Sequence, residues 1–276
     1  MKKSIVLCAD DFGQAEVISG GILNLIQLGR ISATSCLVNM PDWALHASYL
    51  RPVIGKVDIG LHFNLTLGRP LSNIFRANYG HVFPSLSWWM AYALIGKLNK
   101  NVIASELQAQ LDTFMEHLGL PTHIDGHQHL HQFPLIQDVV LTEYQNRFKA
   151  SLPKPYVRLS LLRTMGKGAM TRIKMMTINR MGGTSLQKKL LQLGVPHNRD
   201  FSGVYSFDTD NYRQLFKEYL SSTYDGGMII CHPAMSKQIS HDAIANARWQ
   251  EYQYFTSESF IADCESSQVM VRRFQW

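Results

Sequence analysis

Cysteine is scarce in this chain: only four occur in 276 residues, at positions 8, 36, 231 and 264, and no two form a Cys-x-x-Cys pair. That scatter excludes a disulfide scaffold and a cysteine-based zinc site, and it predicts buried free thiols. The 10 prolines and 19 glycines are spread out, with no low-complexity linker and no internal repeat, so a single domain over residues 1–276 is expected. Helix-turn-helix, RNP and zinc-finger patterns are also missing. The formal charge of +6 therefore makes no case for nucleic acid. Residues 77–96 carry no Lys, Arg, Asp or Glu, but Asn78, His81, Pro84, Ser85 and Ser87 interrupt them, which argues against a membrane span. A lid-like insertion near residues 68–100 is expected instead. The opening "MKKSIVLCADDFG" reaches two aspartates after a very short apolar run, so it reads as a first strand of a cytoplasmic protein and not as a signal peptide.

What the chain does have is alternation. Short apolar runs ("SIVLCA", "ATSCLVNM", "VDIGLHF", "THID", "YVRL", "GMIICH", "QVMVRRF") are separated by longer amphipathic ones, such as "EVISGGILNLIQLG" and "VIASELQAQLDTFMEHLG". This βα order predicts an α/β fold, a TIM-type or incomplete (β/α) barrel of parallel strands, with a doubly wound open sheet as the rival. Asp10, Asp11, His62, Asp125, His127, Arg158 and His232 each fall at the carboxyl end of a predicted strand, where parallel barrels build their sites.

The densest motif is "HIDGHQHLH", residues 123–131, which holds four of the chain's 11 histidines. On an unbroken strand His123, Asp125, His127, His129 and His131 would share one face. Gly126 permits a break and Pro134 suits a helix start, so the histidines from 127 onward are expected on a strand-to-helix loop. In "ADDFG" the pleat would aim Asp10 and Asp11 differently, so that one carboxylate could bind a metal while the other serves as general base.

Singly, each motif has an ordinary reading. Asp-Asp can cap a helix, His62 in "GLHF" can be a hydrogen-bonded core residue, Arg158 can form a structural ion pair, and His232 in "IICHPA" can cap a strand. Arg158 could equally hold the base carboxylate ionised. Together they place carboxylate and imidazole donors on one rim, which favours a metal-dependent hydrolase. The donors suit Zn²⁺, Mn²⁺, Fe²⁺ or Co²⁺, with Mg²⁺ also open. A metal-dependent phosphoesterase and a non-catalytic metal- or sugar-binding protein are the alternatives.

Taken in order, "ADDFG", "GLHFNLTLGRPL", "THIDGHQHLHQFP", "VRL" and "CHPA" resemble the YdjC-like carbohydrate deacetylase family, over roughly residues 4–235. The resemblance implies a barrel-type enzyme that removes acetyl groups from N-acetylated sugars such as chitooligosaccharides, with one divalent metal. It implies Asp11, His62 and His127 as metal ligands, Asp10 as base and His232 as acid. Asp125, His129 and His131 are then candidates for orienting a ligand histidine or touching substrate. The chain departs from the usual family pattern with Gln14 and Ala15 after "ADDFG" and Ser160 after "VRL".

A basic insertion near residues 163–199 matches none of these motifs. It holds Arg163, Lys167, Arg172, Lys174, Arg180, Lys188, Lys189 and Arg199 and no Asp or Glu, interleaved with Met165, Met170, Met175, Met176, Ile178 and Met181. A solvated helical face is the ordinary reading. The alternative expectation is an anionic or lipid-linked glycan substrate, with peripheral contact to an anionic membrane on its inner face. Self-association is left open by the sequence.

Overall fold

The computed structural model describes residues 2–162 and 169–275. Arg163, Met165 and Lys167 of the basic stretch lie outside the described residues. The strands are Lys3–Phe12 (β1), Ala33–Cys36 (β2), Asp58–Phe63 (β3), His123–Gly126 (β4), Tyr156–Val157 (β5), Phe201–Ser202 (β6), Gly227–Cys231 (β7) and Val269–Val271 (β8). The helices are Glu16–Gln27 (α1), Trp43–Leu50 (α2), Asn73–Tyr79 (α3), Leu86–Leu94 (α4), Lys100–Leu118 (α5), Pro134–Phe148 (α6), Ala169–Ile178 (α7), Thr184–Gln192 (α8), Tyr212–Ser222 (α9), Ala245–Thr256 (α10) and Glu258–Ser266 (α11).

All strand pairs are parallel, in the order β5-β4-β3-β2-β1-β7-β6, with β8 beside the first residues of β1. That is the cyclic order of a barrel cut between β5 and β6; a doubly wound sheet would reverse its order at the middle. The barrel expected from the sequence is thus present in its incomplete form. Across the seam, Val157 donates from its backbone N–H to the Pro196 carbonyl at 2.8 Å. The Asn198 side chain accepts from Leu159 N at 2.7 Å and donates to Leu159 O at 2.9 Å. A side-chain amide here takes the place of a strand ladder.

Both faces of the central strands are buried, β3 along its whole length and β1 from Ile5 to Phe12. Continuous burial is what parallel sheets covered by helices require, and it explains the unbroken apolar runs. Close packing has one tight point: a Cβ on Gly60 of β3 would stand 2.3 Å from the His123 ring. Cys8, Cys36 and Cys231 are buried and all four cysteines are free, as expected.

Residues 68–100 fold as two helices whose aromatic side chains pack on one another and whose Phe75, Phe83 and Trp89 belong to the buried core. Trp89 is fully buried and its indole N–H donates to Leu65 O at 2.8 Å, while Phe75 meets Tyr79 and Phe83 edge to face at 5.1 and 5.2 Å. Among the described residues no helix is long and apolar enough to cross a membrane. The run "ARWQEYQYFTSESFIADC" forms two helices (α10 and α11), broken at Ser257, which sits extended at ψ 156°.

Candidate active site

At the carboxyl ends of the strands lies a cavity of about 460 Å³ that Asp10, Asp11, His62, His127, His129 and His232 all line. Its construction starts with a fault in β1. The register against β2 shifts between Ala9 and Phe12, and Asp11 adopts φ 70°. A regular pleat would send the adjacent carboxylates to opposite faces; the bulge lets both line one cavity. Strain recurs around it. Six non-glycine residues have positive φ among the described residues, and five of them (Asp11, Gln128, His129, Phe207 and His241) line this cavity. Such conformations persist where surrounding packing enforces them and tend to gather at functional sites.

The "HIDGHQHLH" stretch divides as its glycine suggests. β4 ends at Gly126, and residues His127–Gln132 turn through positive φ at Gln128 and His129. His127 and His129 reach the cavity, and His129 Nδ1 pairs with Ser160 Oγ at 3.0 Å. His131 turns away from it: fully buried, its Nε2 bonds to the Arg158 carbonyl at 2.8 Å. His123 is also behind the site, with Nε2 3.0 Å from Ser35 Oγ.

The two aspartates have separate partners. Asp10 receives both ends of the Arg158 guanidinium, Nη1 to Oδ2 at 2.7 Å and Nη2 to Oδ1 at 2.6 Å. Arg158 Nη2 also ion-pairs with Asp125 Oδ2 at 2.6 Å, and Asp125 Oδ1 in turn holds His62 Nδ1 at 2.6 Å. Arg158, Asp125 and Asp10 are all buried, and such a chain holds only because each charge has a close opposite. Burial alone would raise the Asp125 carboxyl, but Arg158 and then His62 outweigh it and hold the group well below the usual range. For His62, Asp125 and Asp10 outweigh burial and raise the ring to about 10.

Asp11 sits on the other side. Its Oδ2 accepts from Arg248 Nη2 at 2.7 Å, while Oδ1 is buried with no hydrogen-bond partner. That oxygen lies 3.5 Å from His62 Nε2 and 3.9 Å from His127 Nε2. Burial would raise the Asp11 carboxyl, but Arg248 and the histidines hold it well below its ordinary range. His127 is pulled to about 4 by burial, reinforced by His62 and Arg248 against Asp11.

Two of the separations, from Asp11 Oδ1 to His62 Nε2 and to His127 Nε2, fall in the range that two ligands of one divalent cation have. Bonds of about 2.0–2.2 Å place neighbouring ligand atoms roughly 3 to 4 Å apart. Asp125 on His62 Nδ1 and Thr66 Oγ1 on His127 Nδ1, at 2.6 and 2.7 Å, fix both rings with Nε2 turned to Asp11, the outer support that metal-binding histidines usually have. Among the described residues two other donor groups are more compact, with all ligand atoms within 4.8 Å of one another: Cys8 with His123 and Asp125, and Asp10 with His62 and Asp125. Arg158 lies against Asp125 in both and against Cys8 or Asp10 in each, so a fixed cation already fills that space.

The far wall carries His232, which the "CHPA" motif marked, together with groups that no motif marked. His232 follows β7 with Nδ1 buried and unpartnered, its ring edge-on to Phe207 at 5.4 Å. Burial, with Arg248 and Lys174, pulls it to about 4 against Asp11 and Asp10. Its backbone N–H donates to Glu251, which also accepts from the Tyr205 hydroxyl at 2.5 Å. Lys174 of the basic stretch lines the cavity, donates to Tyr205 O at 2.9 Å and lies 4.1 Å over the Phe207 ring; burial lowers it to about 8. Arg248 and Glu251 lie three residues apart on α10, both buried, and no motif in the sequence marks them.

The remainder of the basic stretch is mixed. Met175, Ile178 and Met181 are core residues, and Lys189 pairs with Asp138 at 2.5 Å. Met170, Ile173 and Met176 are exposed, as are Arg172, Arg180, Lys188 and Arg199.

Comparison with known proteins agrees with this architecture. A protein of Enterococcus faecalis V583, provisionally assigned to cellobiose-phosphate cleavage, superposes over 99% of this chain and 98% of its own with a TM-score of 0.72 at 19% identity, a likeness of fold. Proteins named chitooligosaccharide deacetylase from Yersinia pestis (strain Pestoides F) and Yersinia pseudotuberculosis serotype O:1b are each 35% identical over 149 residues, 51% of this chain and 55% of theirs. The match thus spans about half the length of these curated relatives. The model of the YdjC-like protein family matches residues 4–266, and the chain belongs to that family.

Proposed function

We propose that the chain is a metal-dependent hydrolase that removes the acetyl group from an N-acetylated amino-sugar. The observation that carries this reading is the unpartnered Asp11 Oδ1 facing two imidazole nitrogens, with a second carboxylate, Asp10, beside it. Asp11, His62 and His127 would hold the cation. When bound, it supplies Lewis acidity, polarising a carbonyl and lowering the pKa of an adjacent water from near 16 to about 7 in favourable zinc sites.

The chain's own groups handle the protons. Asp10, held in place by the Arg158 fork, takes the proton from the water that attacks the acetamide carbon. The C–N bond then breaks and the departing amine takes a proton from His232, which must first be protonated by the proton that Asp10 took from the water and releases again. In the free site that ring is neutral. Negative charge developing on the acetyl oxygen raises its proton affinity at the stage where an acid is needed. Asp125 orients His62, and His129 lines the cavity where a sugar would lie.

The substrate is an anionic amino-sugar in this proposal. Lys174 supports it as a cationic donor inside the cavity, separate from the proposed metal ligands. A lipid-linked form, with peripheral membrane contact, rests on the exposed Met170, Ile173 and Met176 beside Arg172 and Arg180. Within residues 88–96 Trp89 is buried and Ile95 is exposed.

Acetate release from neutral and anionic N-acetylated sugars, with chelator and after restoring Zn²⁺, Mg²⁺, Mn²⁺, Fe²⁺ or Co²⁺, tests the reading. Metal-dependent acetate release is the expected result. Phosphate release without acetate would replace it with a phosphoesterase, and binding without turnover would leave a metal- or sugar-binding protein.

A further inference from the structure

Arg248 is anchored at two of its three guanidinium nitrogens and free at the third. Nε donates to Asp242 Oδ2 at 2.7 Å; Nη2 donates to Asp11 Oδ2 at 2.7 Å and to Gln14 Oε1 at 3.2 Å. Asp242 is itself fixed, accepting from Ile244 N at 2.9 Å. Nη1 is buried without a partner, on a side chain that lines the cavity and is almost wholly buried. A guanidinium does not lose its proton, so these N–H donors stay charged and unsatisfied in the free site, which is costly. Unpaired buried donors of this kind call for an acceptor brought by something else. A structural ion pair with Asp11 alone would explain Nη2 but not Nη1.

We infer that Arg248 is a substrate-binding residue whose Nη1 donates to the acyl oxygen of the bound amide, and afterwards to an oxygen of the carboxylate product. The identity of the acceptor rests on the deacetylase reading. Asp11 supplies the geometry: one of its oxygens faces His62 and His127 and the other holds Arg248, so an oxygen seated beside the proposed metal ligands lies within one carboxylate's width of the guanidinium. A cationic donor fixed before the substrate arrives favours the oxygen most once it bears negative charge, which is the requirement for stabilising the transition state. Lysine cannot reproduce this, because a single ammonium cannot hold two carboxylates and a third acceptor in a plane.

The test measures acetate affinity by calorimetry at saturating Zn²⁺, without turnover, for the wild type, Arg248→Lys, Arg248→Ala and Asp242→Asn. Metal content is measured in parallel. Arg248→Lys should bind acetate at least tenfold more weakly while keeping its metal, and kcat should fall by about 10² to 10³ if acetyl substrates are turned over. Guanidinium ion in the buffer should restore acetate binding to Arg248→Ala and leave Arg248→Lys unchanged. Asp242→Asn, which keeps the arginine but loosens its anchor, should show a smaller loss and guards against misfolding of the Arg248 variants. Acetate affinity equal to wild type in metal-loaded Arg248→Lys or Arg248→Ala would overturn the inference. If the wild type releases no acetate from any sugar yet binds acetate through Arg248, the deacetylase reading fails and the binding role stands.

Discussion

The cavity has one wall built from β1, β3 and β4 and another from α7, β7 and α10, and the two are held by opposite means. On the first, buried charges lock one another: Arg158 spans Asp10 and Asp125, and Asp125 holds His62, all within 2.7 Å. On the second, the Phe207 ring meets Lys174 and His232, and one carboxyl group, Glu251, ties the His232 backbone to Tyr205. The difference teaches a division of labour. Closely paired charges fix positions rigidly because any misplacement exposes a charge to a low-dielectric interior, which suits a base and the carboxylate that orients His62; Arg248, paired with Asp11 and Asp242, carries the same device to the second wall. Aromatic and single-bond contacts leave polar atoms free for a ligand, and His232 Nδ1 and Arg248 Nη1 are free in this sense.

The contrast is broken most severely by removing a ligand from the first wall. His127→Ala should drop bound metal from about one equivalent to near none by elemental analysis, and activity with it. One equivalent retained in both His62→Ala and His127→Ala would sink the proposed centre. Next, Asp10→Asn should keep its metal and lose ~10² to 10⁴-fold in turnover; near-normal turnover would show that Asp10 is not the base.

Within the second wall, Glu251 links pH to stability. Burial raises its carboxyl from 4.5 to about 7, only partly offset by Tyr205, His232 and Arg248. The folded state therefore holds a proton that the unfolded chain releases at lower pH, and stability falls as pH rises from 4.5 through 7. Across that window the wild type should lose roughly 3 kcal/mol relative to Glu251→Gln, read from denaturant midpoints at several pH values. Parallel curves for the two proteins would mean that Glu251 does not titrate there. The smallest effect is expected at the edge of the same wall. Lys174→Met should raise KM for an anionic amino-sugar about tenfold, a single-contact loss of roughly 1.4 kcal/mol, and leave a neutral sugar unchanged. Equal effects on both would assign Lys174 to packing against Phe207.

The first wall was legible because its residues announce themselves locally. Asp10, Asp11, His62 and His127 lie at the ends of apolar strands, as His232 does on the other wall, and a strand's end is where a barrel opens. Even there the pleat misled. Asp10 and Asp11 line one cavity because of a bulge at φ 70°, and His131 left the histidine row because the chain reversed at Gln128 and His129. Lys174 looked like one more cation in a solvated stretch, and Arg248 like an ordinary helix residue. β6, two residues long, had no pattern to read.

By itself the sequence determined the alternation of strands and helices, the breaks at Gly126 and Pro134, and the placing of Asp10, Asp11, His62, His127 and His232 at strand ends. Each follows from backbone preferences acting over a few residues. Asp125 and Arg158, expected beside those five residues, are buried behind the cavity. The tertiary structure decided which charges meet: Arg158 with Asp10 across 148 residues, and Arg248 with Asp11 across 237. No local rule selects such partners. They are chosen when the sheet curls and α10 packs on it, because only paired charges can remain inside at tolerable cost.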